Sequence, residues 1–170
     1  MKIATIAFFI FLITAAAMAQ NVDELDKKAG FKEFRIGDSV SVYGNKVRPT
    51  RTLDNADMKL YLARDLVSVK SYTGEVELVV YKGKVQEVIV SFKNSSKSDY
   101  EDLVRSLQTL YGEYSKDKGK DRDKATARFE KIYTWMGQKI TLRAGHDENY
   151  KLTKLVYTEN ESLDKLKDEF

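Results

Sequence analysis

Apolar and polar residues alternate through much of the stretch between Met58 and Phe92, and that alternation predicts strands. Four segments, 59–63, 66–72, 75–82 and 85–92, are rich in Val, Ile, Leu and Tyr. Lys82-Gly83-Lys84 predicts a tight hairpin turn between the last two, and Thr73-Gly74 predicts another. Along 75–81, Val76, Leu78 and Val80 fall on one face, with Glu75, Glu77, Val79 and Tyr81 on the other. One apolar face and one mixed face are what an antiparallel sheet covered on one side requires.

The period then changes. Ser98-Asp99-Tyr100-Glu101 has the form of a capping box. Tyr100, Leu103, Val104, Leu107, Leu110 and Tyr111 follow at helical spacing, a stripe suited to lying on a sheet, and Gly112 is a natural stop. The alternating charges of residues 116–124, KDKGKDRDK, predict a solvated loop. Strands resume over 127–135, 138–143 and 150–158, with a turn at Met136-Gly137 and a longer one over 144–149. A terminal helix over 161–170 would put Leu163, Leu166 and Phe170 on one side. Upstream, 22–29 fits a short helix ended by Gly30, and Phe31, Phe34 and Ile36 can anchor the segment after it. Residues 38–57, which hold the single proline, Pro49, show no clear pattern. The expected fold is α+β: an antiparallel sheet covered by helices.

Two segments repeat an order. Residues 76–111 and 139–170 both run strand, turn, strand, polar turn, helix, with Val88-Ile89-Val90-Ser91-Phe92 matching Lys154-Leu155-Val156-Tyr157-Thr158 in role. Two related strand-hairpin-helix units sharing one sheet would explain the echo, as would chance recurrence of a common motif. The segments GFKEFRIG (30–37), VVYKGKVQEV (79–88), LQTLYG (107–112), WMGQKITL (135–142) and KLVY (154–157) carry a resemblance. Their layout is similar to small exported bacterial proteins of the β-lactamase-inhibitor-protein and outer-membrane-assembly-lipoprotein (SmpA/OmlA) group. The resemblance implies paired helix-plus-sheet units. The chain departs from that group in having neither a lipobox cysteine nor bracing disulfides, and no binding residue carries over.

The first nineteen residues stand apart. Lys2, the apolar run 3–13 and the small-residue stretch ending Ala17-Met18-Ala19 form the pattern of a secretory signal peptide. Cleavage between Ala19 and Gln20 would leave residues 20–170 as a single α+β domain, released to the periplasm or the medium, with no further apolar run long enough to span a membrane. A net charge of +3 over 170 residues is near balance and suggests no nucleic-acid partner. With no cysteine there are no disulfides, no thiol catalysis and no cysteine-ligated metal.

The sequence offers no catalytic, cofactor-binding or metal-ligating set. His146, the single histidine, sits with Asp147 and Glu148 in what reads as an exposed turn, and lacks a second histidine to share a metal. Asp54, Asn55 and Asp57, and Asp117, Asp121 and Asp123, do not fit a calcium loop. Glu75 and Glu77 share a face, with Lys82 and Lys84 near enough in sequence for cross-strand ion pairs. Asn94-Ser95-Ser96 and Asn160-Glu161-Ser162 match a glycosylation sequon, informative only for a eukaryotic chain. Aromatic residues fall on the strands, Tyr72, Tyr81, Tyr133, Trp135 and Tyr157 among them. Tyr133 and Trp135 alternate onto one face. An exposed aromatic face suits a partner, whereas buried aromatics would be ordinary sheet packing. The expectation is a non-catalytic extracytoplasmic binding module that engages an unknown protein or envelope component through Tyr81, Tyr133 and Trp135. The alternatives are a proteinaceous enzyme inhibitor and a small secreted hydrolase.

Overall fold

Left-handed backbone at Lys82 (φ 47°) and Gly83 (φ 80°) makes the turn that the sequence marks, and the strands on either side set the frame of the sheet. They are β6 (Tyr72–Tyr81) and β7 (Lys84–Lys93), antiparallel, with Leu78 opposite Val88 and Val76 opposite Val90. The computed structural model describes residues 23–53, 57–69, 72–117, 129 and 131–160. The expected leader at 1–19, Asp54, Asn55, Asp121, Asp123 and the expected helix over 161–170 lie outside the described residues.

Alternation along β6 holds as read: Val76, Leu78 and Val80 are buried, while Glu75, Glu77, Val79 and Tyr81 are half-buried. Strand β7 needs one adjustment. Val79 pairs Glu87 but Val80 pairs Val85, so Gln86 is an extra residue, a bulge. It lets Val85 and Val88, an odd and an even position, both point into the core.

Among the described residues nine strands form the main sheet, in the order β3 (Val47–Thr52), β4 (Met58–Ala63), β6, β7, β11 (Leu152–Glu159), β10 (Ile140–Asp147), β9 (Ile132–Met136) and β8 (Ser115–Asp117). The ninth, β5 (Val67–Val69), pairs with the start of β6. Every pairing is antiparallel. Each run of strands thus starts at a border and ends at the centre, where β7 meets β11. The strand β8 replaces the start of the expected solvated loop, and β3 occupies the stretch without a pattern. Both are border strands with few apolar residues, so neither leaves a burial signal in the sequence.

Helix α1 spans 23–28 and helix α2 spans Lys97–Tyr111. The N-cap of α2 is Ser96, two residues before the expected Ser98. The Ser96 hydroxyl accepts from the Asp99 N–H (3.2 Å), and the Asp99 carboxylate accepts from the Ser96 N–H (2.8 Å). Both frames have a serine three residues before an acid; this one also aims Asp99 at the Tyr72 hydroxyl, which donates to it at 2.8 Å. Tyr100, Leu103, Val104, Leu107 and Tyr111 are buried as the stripe predicts, but Leu110 is exposed. Gly112 ends the helix at φ 82°.

Helix α2 is tied to the sheet by two buried donors: the Tyr100 hydroxyl to the Ala144 carbonyl (2.9 Å) and Trp135 Nε1 to the Gly112 carbonyl (2.9 Å). The remaining cover on this face comes from Leu25 of α1, from the hairpin β1 (Gly30–Phe31) and β2 (Phe34–Arg35), and from Tyr43 in the 3-10 segment Val40–Lys46. The Tyr43 hydroxyl accepts from the Arg35 N–H (2.7 Å) and donates to Asp38 (3.0 Å), and burial pushes its pKa up to about 12. Among the described residues the cover is therefore one long helix, the short α1 and irregular segments. Nor is the second face uniformly open: Ile89, Val156, Thr141, Thr158, Thr134 and Ile132 on it are buried. Phe129 packs against Gly145 so closely that a Cβ there would meet its ring at 2.7 Å.

One carboxylate fastens the N-terminal segment. Asp26 on α1 accepts from the backbone N–H groups of Gln138 (2.7 Å), Lys139 (3.0 Å) and Ile140 (2.9 Å) in the β9–β10 turn. From the other side Asn160 donates to the carbonyls of Gly137 (3.0 Å) and Gln138 (3.1 Å). A side chain at Gly137 would collide with the Asp26 carboxylate, which is why glycine stands there. Replacing Asp26 by Ala strips a charged acceptor from three donors. The expected loss of stability is about 1.5–3 kcal/mol, the range for hydrogen bonds to charged groups, read as a lower urea midpoint. An unchanged midpoint would show that α1 is held by Leu25 alone.

Candidate functional site

The residues with chemical potential collect where α2 crosses β9 and β10. Strand alternation sends Tyr133 and Trp135 to the α2 face, as their spacing predicts. On β10 the same face carries Ala144, whose small side chain leaves room for Tyr100, and then His146. Tyr114, three residues past the end of α2, inserts between the two β9 rings. It lies edge-on to Tyr133 (centroids 4.6 Å apart) and to Trp135 (5.5 Å). Tyr133 lies 5.8 Å from Tyr100, and Tyr100 stacks on His146 at 5.4 Å with an interplanar angle of 18°. The result is one continuous row, Trp135–Tyr114–Tyr133–Tyr100–His146. Edge-on and offset contacts at these distances each contribute about 0.5–1.5 kcal/mol beyond simple burial.

The row is graded in exposure. Trp135 is 2 % exposed and Tyr100 is 5 % exposed, so both are core residues. Tyr114 and Tyr133 are half-buried, and the Lys116 ammonium sits 5.8 Å from each ring centroid. Of the three aromatic residues expected to form a partner surface, then, only Tyr133 offers an accessible ring in this row. Trp135 shares its face but is sealed beneath it, because α2 ends directly over the indole and takes its N–H. Tyr81 is on the opposite face of the sheet, half-buried, with the Lys82 ammonium 5.1 Å from its ring. Tyr114 and Lys116 were not legible as site residues. They follow the Gly112 stop in a stretch without periodicity, and only the pairing of β8 with β9 brings them beside Tyr133.

His146 is not in a turn. It lies inside β10, which continues through Ala144-Gly145 because its pairing with β11 runs on to Asp147 opposite Leu152. Its Nδ1 is 3.0 Å from the Thr153 hydroxyl, which receives the Ser95 hydroxyl at 2.8 Å; Ser95 also contacts the Phe92 carbonyl (3.2 Å). Burial lowers the His146 pKa, opposed by Glu148, Asp147 and Asp99, while Lys97 lowers it further. Asp147 serves the following turn, accepting from the N–H groups of Asn149 (3.0 Å) and Tyr150 (3.2 Å). Among the described residues no three His, Asp or Glu side chains converge to hold a metal ion.

The acidic candidates are engaged elsewhere. Glu75 pairs with Lys93 at 2.8 Å, one strand over, and not with Lys82 or Lys84, which belong to the far turn. Asp99 caps α2 and accepts from Tyr72, and the Ser96 backbone hydrogen bond leads in holding its carboxyl below the usual range. Glu75 and Asp99 line an open groove of about 570 Å³ with Leu66, Tyr72, Ser91 and Lys93. Each is held as an acceptor, Glu75 by Lys93 and Asp99 by the Ser96 N–H and the Tyr72 hydroxyl.

The chain matches no family model, no curated protein and no solved structure.

The lowered His146 pKa sets a pH dependence. The folded state favours the neutral ring relative to the unfolded chain, whose midpoint is near 6.5. This contribution to stability is complete above that pH and is lost as pH falls through the lower folded midpoint. The His146 ring protons should titrate below 6.5 by NMR. The gap between urea midpoints at neutral and mildly acid pH should narrow in His146→Gln; an unchanged gap would assign the dependence to other groups.

Proposed function

We propose that this protein is a non-catalytic binding module that works outside the cytoplasm and engages a protein partner through the β8–β9 border. The observation that carries the reading is the half-buried pair Tyr114–Tyr133 under Lys116. Tyrosine is enriched at interfaces, where a rigid amphipathic ring adds contact area at low entropic cost. Trp135 and Tyr100 beneath it hold the pair in place, so that little ordering remains to be done on binding. The engagement of Glu75 and Asp99 as acceptors favours binding over hydrolysis. An enzyme as the partner would make the module an inhibitor.

The compartment rests on the leader pattern of residues 1–19. The strand order supports two related units, each a meander that enters at a border and ends at the central β7–β11 pair. That layout agrees with the resemblance to the inhibitor-protein and assembly-lipoprotein group.

Two measurements test the reading. Intact mass of the exported chain should begin at Gln20, and a retained leader would overturn the assigned compartment. In capture from envelope extract, Tyr133→Ala should lower recovery of a specific partner by about tenfold, the scale of one interface tyrosine, while Tyr81→Ala leaves it unchanged. The same recovery with Tyr133→Ala as with the parent chain would reject this border as the binding surface.

A further inference from the structure

The other border of the sheet has a different chemistry. Strand β3 is outermost there, and its backbone orientation follows from one hydrogen bond: the Arg64 N–H donates to the Lys46 carbonyl at 2.8 Å. Antiparallel ladders alternate hydrogen-bonded and non-bonded pairs, so Arg48, opposite Leu62, turns its polar groups toward β4. Val47 and Pro49 turn theirs outward. Pro49 has no N–H to offer, and the register slips between Pro49 and Arg51. A proline and a bulge on an outer strand block continuous pairing with another sheet. What the border does present is the Pro49 carbonyl and a set of cations, Val47 being buried.

The slip has a second effect. It places Arg48 opposite Leu62 and Arg51 opposite Leu60, so both side chains rise on the same face, two ladder positions apart. Arg64, opposite Lys46, extends the same face. All three arginines are exposed, and among the described residues none takes part in a salt bridge or a side-chain hydrogen bond. Of the described acids near this border, Glu33 is held by Lys46 (3.6 Å) and Glu75 by Lys93, and Glu77 stands one strand further in, beyond β4. Among the described residues, three guanidinium groups thus share a border without an ion pair.

We propose that this arginine border is a docking strip for an extended acidic segment of a partner protein, with carboxylates at alternate residues received by Arg48 and Arg51 and a further one by Arg64. Guanidinium forks match carboxylates in bidentate geometry. Two ladder positions span about 6.8 Å, the distance between residues i and i+2 of an extended chain, whose side chains point the same way. The outward Pro49 carbonyl accepts one backbone N–H of such a segment, and β3 and β4 contribute none of the exposed large apolar side chains that a bilayer would receive. The strip lies at the border opposite Tyr133, so it goes beyond the function proposed above and stands or falls separately.

The test is fluorescence anisotropy with a labelled peptide of alternating Glu and Ser. A peptide of the same composition with its Glu residues in one block, and vesicles containing phosphatidylglycerol, are the comparison arms. The alternating peptide should bind, weaken as salt rises, and lose about tenfold or more in affinity with Arg48→Glu/Arg51→Glu, the scale for charged pairs at interfaces. Lys131→Glu, an exposed charge reversal away from this border, should bind as the parent does. Arg48→Gln/Arg51→Gln, at an unchanged urea midpoint, supplies the same comparison should the reversal variant misfold. No binding of the alternating peptide, equal binding of the blocked peptide, parental affinity in the arginine variants, or arginine-dependent binding to vesicles alone would each overturn the proposal.

Discussion

Everything in this fold hangs on the pairing of β7 with β11. Seven register positions, from Leu152 opposite Lys93 to Thr158 opposite Glu87, join chain segments that are far apart in sequence. Closing so long a loop is entropically costly, and the contact repays it by burying residues on both faces at once. Val88, Val90, Leu155 and Tyr157 face the α2 side, while Ile89 and Val156 face the other, and all are buried. Both strands accordingly carry three consecutive apolar residues, Val88-Ile89-Val90 and Leu155-Val156-Tyr157. That is the composition of a strand with no solvent-facing side. Without this pair, the two meanders would each expose a raw border at the place where the core is deepest.

From that centre outward, the structure becomes progressively more polar and more specialised. The β9–β10 turn is clasped between Asp26 and Asn160, which spends every backbone N–H of Gln138, Lys139 and Ile140 on one carboxylate. The α2 side carries the aromatic row, anchored by indole and phenol donors to backbone carbonyls. The two borders are finished differently. At one, β8 is three residues long and gives way to tyrosines under a lysine; at the other, Pro49 and a bulge close β3 to strand addition and leave arginines free. A sheet must protect its edges, and here the devices that do so are the same ones that give each border its recognition chemistry.

Much of the local structure was legible. The β6–β7 hairpin, its turn and the α2 stripe follow from periods of 2 and 3.6 that need no knowledge of partners. The errors share a cause. Ser96 displaced Ser98 as the cap because Tyr72, distant in sequence, makes use of Asp99 in that frame. His146 entered a strand because β10 stays paired with β11 as far as Asp147 opposite Leu152. Leu110, at a correct helical position, is exposed, and Gln86 became a bulge so that Val85 and Val88 could both reach the core. At the site, the shared face of Tyr133 and Trp135 was readable from alternation, but the sealing of Trp135 depends on where α2 stops, and the presence of Tyr114 on where β8 pairs.

The residue pattern alone specified an antiparallel sheet with one amphipathic helix, no thiol chemistry and a leader-like N-terminus, because each of these is written in neighbouring residues or in composition. Only the folded chain decided the order of the strands, which of the aromatic rings are core and which are surface, and that Arg48 and Arg51 on β3 and Arg64 just past β4 stand together without an ion pair among the described residues. Those properties are sums over contacts between distant segments. Burial and charge pairing belong to the assembled surface, and a one-dimensional period carries no record of which strand will lie beside which.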